Sequence, residues 1–212
     1  MLRRSLLALF ATSFALPLAA ALAQEEPRRL TPEEVEEINA ISAHNSAITT
    51  MQGKFLQIDR QGNRIEGTFY LQRPGKIRFR YNPPSREEII SIGQGFYVID
   101  RKEKTQYAYP QDKVPLRQFL DERIDLLNAG LVAINHSDNY LELTLQDETP
   151  AGTVRVALVF DKQSQELVQW VLTSPDGGEL TFSLYDVEKG VELPNSTFYL
   201  NINDYNRVEQ PT

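Results

Sequence analysis

The chain has 212 residues, 41% of them hydrophobic, with 22 Lys and Arg against 29 Asp and Glu. That acidic balance argues against a basic nucleic-acid-binding surface. The absence of cysteine excludes disulfides and thiol chemistry and leaves no cysteine to carry a lipid anchor.

Residues 1–23 hold Arg3-Arg4, the apolar run SLLALFATSFALPLAAALA and a small-residue end, Ala21-Leu22-Ala23. This is the layout of a secretory signal peptide cleaved after Ala23, so an exported, soluble product is expected. About 189 residues then remain at a net charge near −9, a size that suits one domain over 24–212.

Thr31-Pro32-Glu33-Glu34 opens a helix, with Thr31 as N-cap, Pro32 in the first turn and Glu34 closing a capping box. Val35, Ile38, Ile41 and Ile48 give it one apolar face to about residue 48. The period then changes to two. Strands are predicted over 49–60, 65–73, 76–82, 87–92, 95–101 and 104–109, separated by Gly- and Pro-containing turns. Leu116, Phe119, Leu120, Ile124 and Leu127 return to helical spacing over 115–128, with Gly130 as a stop. Five more strands follow near 140–147, 153–161, 166–174, 179–187 and 197–202. The segment 129–139 stays unassigned. Many short strands joined by hairpin turns, with few helices between them, predict a mainly β fold of α+β type. The expected architecture is an incomplete antiparallel barrel whose concave apolar face is covered by two to three helices.

Little in the chain asks for covalent chemistry, and neither an enzyme nor a cofactor or metal is expected. The two histidines, His44 and His136, have no third ligand at a metal spacing. His136 lies in the polar segment NHSDN and reads as a surface loop residue rather than a triad member, since no G-x-S-x-G elbow is present. Gly93-Gln94-Gly95 lacks the rest of a dinucleotide fingerprint and reads as a hairpin turn.

The apolar faces are more informative. Ile65, Gly67, Phe69, Leu71 and Arg73 share one face of a strand, and Ile77, Phe79 and Tyr81 continue it on the next. Leu141, Leu143 and Leu145 repeat the pattern, as do Leu180, Phe182 and Leu184. Such a wall is either an ordinary core beneath the helices or the lining of a cavity. Arg73 is the exception on it. A guanidinium there either snorkels to water beside Pro74 or donates to free carbonyls at the ends of covering segments.

The stretches LQRPGKIRFRYNPP (71–84) and SIGQGFYVIDRKEKTQY (91–107) resemble the outer-membrane lipoprotein carrier family, the periplasmic LolA type. MQGKFLQ (51–57) and LPNSTFYLN (193–201) are similar to that family's opening and closing strands. The resemblance implies eleven strands, three helices and a hydrophobic cavity for the acyl chains of lipoproteins, with Arg73-Pro74 at the latch that holds a helical lid closed. The candidate cavity wall is Phe55, Phe69, Leu71, Ile77, Phe79, Tyr81, Leu143, Leu145 and Phe182. Ile77 stands where the family often has an aromatic residue. The partners implied are an inner-membrane ABC-type lipoprotein-releasing complex and a lipid-anchored outer-membrane receptor, met by a monomeric periplasmic chaperone. A carrier or sensor of another amphiphile on the same fold is the alternative.

Overall fold

Twelve strands form a single sheet in the computed structural model, which describes residues 29–115, 117–149 and 152–208. The expected signal peptide, Leu116 and the Pro150-Ala151 turn lie outside the described residues. In chain order the elements are α1 (Pro32–Ala47), β1 (Thr50–Ile58), β2 (Arg64–Gln72), β3 (Lys76–Tyr81), β4 (Glu87–Ile92), β5 (Gly95–Asp100) and β6 (Thr105–Pro110). After an irregular crossing come β7 (Leu131–His136), β8 (Tyr140–Thr149), β9 (Gly152–Asp161), β10 (Leu167–Thr173), β11 (Glu179–Lys189) and β12 (Asn206–Arg207). No helix among the described residues is long and apolar enough to cross a membrane.

The sheet is two antiparallel meanders, β1 to β6 and β7 to β11, joined where β1 pairs with β11. Its ends, β7 and β12, do not pair with each other, so the barrel stays open. The curl is nevertheless strong. Phe79 on β3 and Trp170 on β10 are four strand spacings apart along the sheet, about 19 Å if it were flat, yet their ring centroids lie 6.1 Å apart.

Glycine opposite phenylalanine makes that curl possible. Phe55 faces Gly67 across β1 and β2, and Phe69 faces Gly53 one rung on. A Cβ on Gly67 would stand 2.5 Å from the Phe55 ring and 2.2 Å from the Arg80 carbonyl, so both rings lie flat over backbone that carries no side chain. Gly67→Ala is expected to cost about 1–3 kcal/mol through this overpacking, read as a lower midpoint in urea unfolding.

The predicted capping box is present. Glu34 N–H donates to Thr31 Oγ1 at 3.2 Å, and Thr31 N–H donates to Glu34 Oε2 at 2.8 Å. Ile38 and Ile41 of α1 enter the core with Phe55, Leu141, Leu143, Leu158 and Phe160.

Three expectations need correction. Within the helix expected over 115–128, residues 117–128 form a short 3₁₀ turn, Arg117–Leu120, and then irregular chain. The reason is competition for its backbone groups. The Phe119 and Leu120 carbonyls accept from Arg73 Nε and Gly75 N, while the N–H groups of Ile124 and Leu126 donate to the Ser46 and Ser42 hydroxyls of α1. The unassigned segment 129–139 contains a strand, β7, so α1 is the one α-helix among the described residues where two or three were expected. Residues 197–202 are not a strand. The chain from Asn195 crosses the convex face in two 3₁₀ turns before β12 pairs in parallel with β6.

That crossing covers a second, smaller core on the outside of the sheet. Ile90, Ile99 and Phe198 are buried there around Glu88, whose carboxylate accepts from both Arg78 and Arg101. Arg78 also donates to the Thr197 carbonyl, and Gln106 Nε2 donates to the carbonyls of Ile202 and Tyr205. Of the charges that alternate with Ile77, Phe79 and Tyr81, Arg78 therefore belongs to a buried network, while Arg80 is exposed.

Candidate functional site

Between the sheet and its cover lies a cavity of about 230 Å³. Strands β1 to β5 supply Met51, Phe69, Leu71, Ile77, Phe79, Ile89 and Phe96, and strands β10 and β11 supply Leu167, Trp170, Leu172, Leu180, Phe182 and Leu184. The irregular crossing closes the space with Val114, Pro115, Phe119 and Leu120. Arg73 is the one charged side chain on the wall among the described residues. Trp170 and Phe182 stack at 4.8 Å and form the floor opposite Phe79.

Of the nine wall residues expected from strand phase, the structure brings Phe69, Leu71, Ile77, Phe79 and Phe182 to the cavity. Phe55 and Tyr81 do not line it. Phe55 packs edge-on against both Phe79 and Tyr81 at 5.1 Å, and the Tyr81 hydroxyl donates to Gln57 Oε1. Burial, and secondarily the Glu87 carboxylate, push the Tyr81 phenol up. Leu143 and Leu145 also stand apart, because α1 and the crossing segment fill the space above β8. Trp170 was missed, although it shares the phase of Leu172 and faces Phe182 across β10 and β11.

Arg73 is 9% exposed and reaches both parts of the cover. Its Nε donates to the Phe119 carbonyl at 2.8 Å. Its Nη1 donates to the carbonyls of Asn45, at 3.0 Å, and Ile48. The latter two are carbonyls at the C-terminal end of α1, where a helix leaves acceptors unpaired and carries partial negative charge. The following turn adds a backbone tie, Gly75 N–H to the Leu120 carbonyl at 2.6 Å, and Gly75 adopts the left-handed φ of +78° that this turn requires. Pro74 is exposed and contributes through the turn alone.

Desolvation pushes the Arg73 guanidinium down from its ordinary value to about 10, so it remains charged at neutral pH. Holding that charge inside costs on the order of 3 kcal/mol, and the three carbonyl acceptors offset it. Three charge-assisted bonds of roughly 1.5–3 kcal/mol each outweigh that cost by a few kcal/mol.

Three further contacts tie α1 to the sheet. Asn45 Nδ2 donates to the Gln165 carbonyl at 2.7 Å, His136 Nε2 lies 2.9 Å from Glu37 Oε2, and His44 Nε2 lies 3.8 Å from Glu166 Oε1. His136 is thus the last residue of β7, turned toward the helix, rather than a residue of the loop.

The family model for the outer membrane lipoprotein carrier protein LolA matches residues 46–201. An outer-membrane lipoprotein carrier protein of Methylococcus capsulatus is 32% identical over 139 residues, which covers 62% of this chain and 61% of that protein. Another, of Methylobacillus flagellatus, is 35% identical over 68 residues, covering 30% of this chain and 33% of that protein. The match thus spans less than two thirds of either relative's length. Among solved structures, an uncharacterized conserved protein of Thermus thermophilus is 13% identical, with 82% of this chain and 98% of that one covered at a TM-score of 0.47. With its match over residues 46–201, the chain belongs to the outer membrane lipoprotein carrier family, LolA.

Proposed function

We propose that the protein is a periplasmic chaperone that takes up the acyl chains of lipoproteins leaving the inner membrane and passes them to a receptor at the outer membrane. The observation that carries this reading is the apolar cavity bridged by Arg73 to both halves of its cover. An acyl chain of about 14 methylenes costs on the order of 11 kcal/mol to leave in water. A carrier has to match that with apolar area and still let go. A closed state favoured by a few kcal/mol lowers the apparent affinity for cargo, so transfer to a tighter receptor runs downhill. Binding and release need no covalent step.

On this reading α1 and the crossing segment move as one lid, because the Ser46 and Ser42 hydroxyls tie them together. The partners are an ABC-type releasing complex in the inner membrane and a lipid-anchored outer-membrane receptor, each met by a monomer. Trp170 is the chain's single tryptophan and lies on the cavity floor, so its emission reports occupancy. Titration with a lipopeptide bearing one palmitoyl chain is expected to blue-shift Trp170, and detergent-free material is expected to carry lipoprotein acyl adducts in native mass spectrometry. Adducts of glycolipid or another amphiphile in their place would assign the cavity to that cargo.

A further inference from the structure

Arg73 and Gly75 hold the far end of the crossing segment, at Phe119 and Leu120. Its near end, where the chain leaves β6, is held by the same turn. Gln111 Nε2 donates to the Gly75 carbonyl at 2.7 Å, while Gly75 N–H donates to the Leu120 carbonyl at 2.6 Å. The two backbone groups of one glycine therefore grip both ends of the stretch that carries Val114, Pro115 and Phe119 over the cavity. Gln111 Nε2 also donates to Ser91 Oγ at 2.7 Å, and the Gln111 backbone N–H donates to the Gln94 carbonyl at 2.9 Å.

The two ends are not equally free to leave. At the far end, opening parts backbone carbonyls from Arg73 and Gly75, and water reaches those carbonyls once the cover lifts. At the near end, Ser91 is fully buried, on β4 between Ile77 and Phe96 of the cavity wall. Withdrawing Gln111 would strand that hydroxyl without the amide that donates to it, and an unpaired buried polar group is costly. Gln111 also follows Pro110, which pairs with Gly95 at the end of the β5–β6 ladder, so its backbone is fixed by the sheet. The amide rests directly on the turn: a Cβ on Gly75 would stand 3.5 Å from Gln111 Nε2.

We infer that Gln111 is a positioning residue, the pin on which the crossing segment swings. It stays on Ser91 and Gly75 while Phe119 and Leu120 let go of Arg73 and Gly75. Holding the near end keeps the two far carbonyls close to the turn they left, which raises their effective concentration there and favours closure. Gln111 thus acts through the Arg73 latch, and its removal moves the equilibrium toward the open state. The consequence for cargo rests on the carrier reading above; the hinge itself does not.

Gln111→Met keeps the length of the side chain and removes both donors. Without cargo, the Gly75 amide of this variant is expected to exchange with solvent about fivefold faster, the weight of one modest hydrogen bond. Followed through Trp170 emission, the variant is expected to bind a lipopeptide with one palmitoyl chain about fivefold more tightly. Combined with Arg73→Leu it is expected to bind no more tightly than Arg73→Leu alone, because the closed state is then already lost. Ser91→Ala, which removes only the buried acceptor, is expected to shift exchange and affinity in the same direction, and circular dichroism checks the fold of each variant. A glutamine that merely braces the rim would lower Tm and leave probe affinity where it was. Unchanged Gly75 exchange and unchanged affinity in both variants overturn the hinge, as does a double variant in which the two effects multiply. Faster exchange, with no Trp170 response to the probe in the unaltered protein, supports the hinge and overturns the carrier reading.

Discussion

Arg73→Leu is expected to bind an acylated probe about tenfold more tightly than the unaltered protein and to deliver it to receptor-bearing membranes at least tenfold more slowly. Both effects come from one equilibrium. The closed state is held by a guanidinium that donates to Asn45, Ile48 and Phe119, carbonyls on two separate pieces of the cover. Each charged hydrogen bond contributes roughly 1.5–3 kcal/mol, against a desolvation cost of about 3 kcal/mol. The net bias toward closure is therefore a few kcal/mol, and about 1.4 kcal/mol of it is a tenfold factor in apparent affinity. Leucine removes the bonds, the charge and the desolvation cost together, and adds apolar surface to the wall. Loss of the bonds and the added apolar surface favour the open, loaded state, and relief of the desolvation cost in the closed state offsets only part of that. Arg73→Lys separates charge from geometry, because an ammonium cannot reproduce the fork that spans the helix end and the 3₁₀ turn. Its transfer rate is expected to fall between the two. The check is a paired measurement of probe affinity through Trp170 and transfer to membranes carrying the receptor. Transfer at the normal rate by the leucine variant would show that Arg73 is not the latch.

Much of this site was legible in the sequence because the concave wall obeys a period of two, and the one charge that breaks it is Arg73. The phase of β2, β3 and β11 carried Phe69, Phe79 and Phe182 to the cavity. It could not separate cavity from solid core, since Phe55 and Leu143 share that phase and are buried in the core that Ile38 and Ile41 of α1 join. What decides between them is where the cover falls, a tertiary fact. The 115–128 segment misled for a related reason. Its spacing is helical, but the carbonyls a helix would use are taken by Arg73 and Gly75 and its amides by two serines far away in sequence. The outer core was hidden for another. Arg78 and Glu88 look like solvent-facing residues of alternating strands, and only the return of the C-terminal chain over them makes them interior.

That return is the basis of the second large effect. Glu88→Ala is expected to lower the stability of the protein by about 3–5 kcal/mol, the range for removing one partner of a buried ion pair. Glu88 is 1% exposed and its two oxygens accept from Arg78 and Arg101. Without it Arg78 stays buried with only the Thr197 carbonyl to receive its charge. The variant avoids that by letting the C-terminal segment lift and water enter. Amides of Asn206 and Val208, which donate to the Lys104 and Gln106 carbonyls at 2.8 Å, are expected to exchange with solvent faster. For a domain of this size the loss corresponds to a fall in Tm of roughly 10 °C. Glu88 and the cavity lie on opposite faces of the same strands, so the Trp170 response to a single-chain lipopeptide is expected to persist at temperatures where the variant is folded. A urea unfolding curve and hydrogen exchange at Asn206 and Val208 read the two parts separately. A stability loss under 1 kcal/mol would mean that packing of Phe198 over Ile90 and Ile99, and not the carboxylate, holds the segment down.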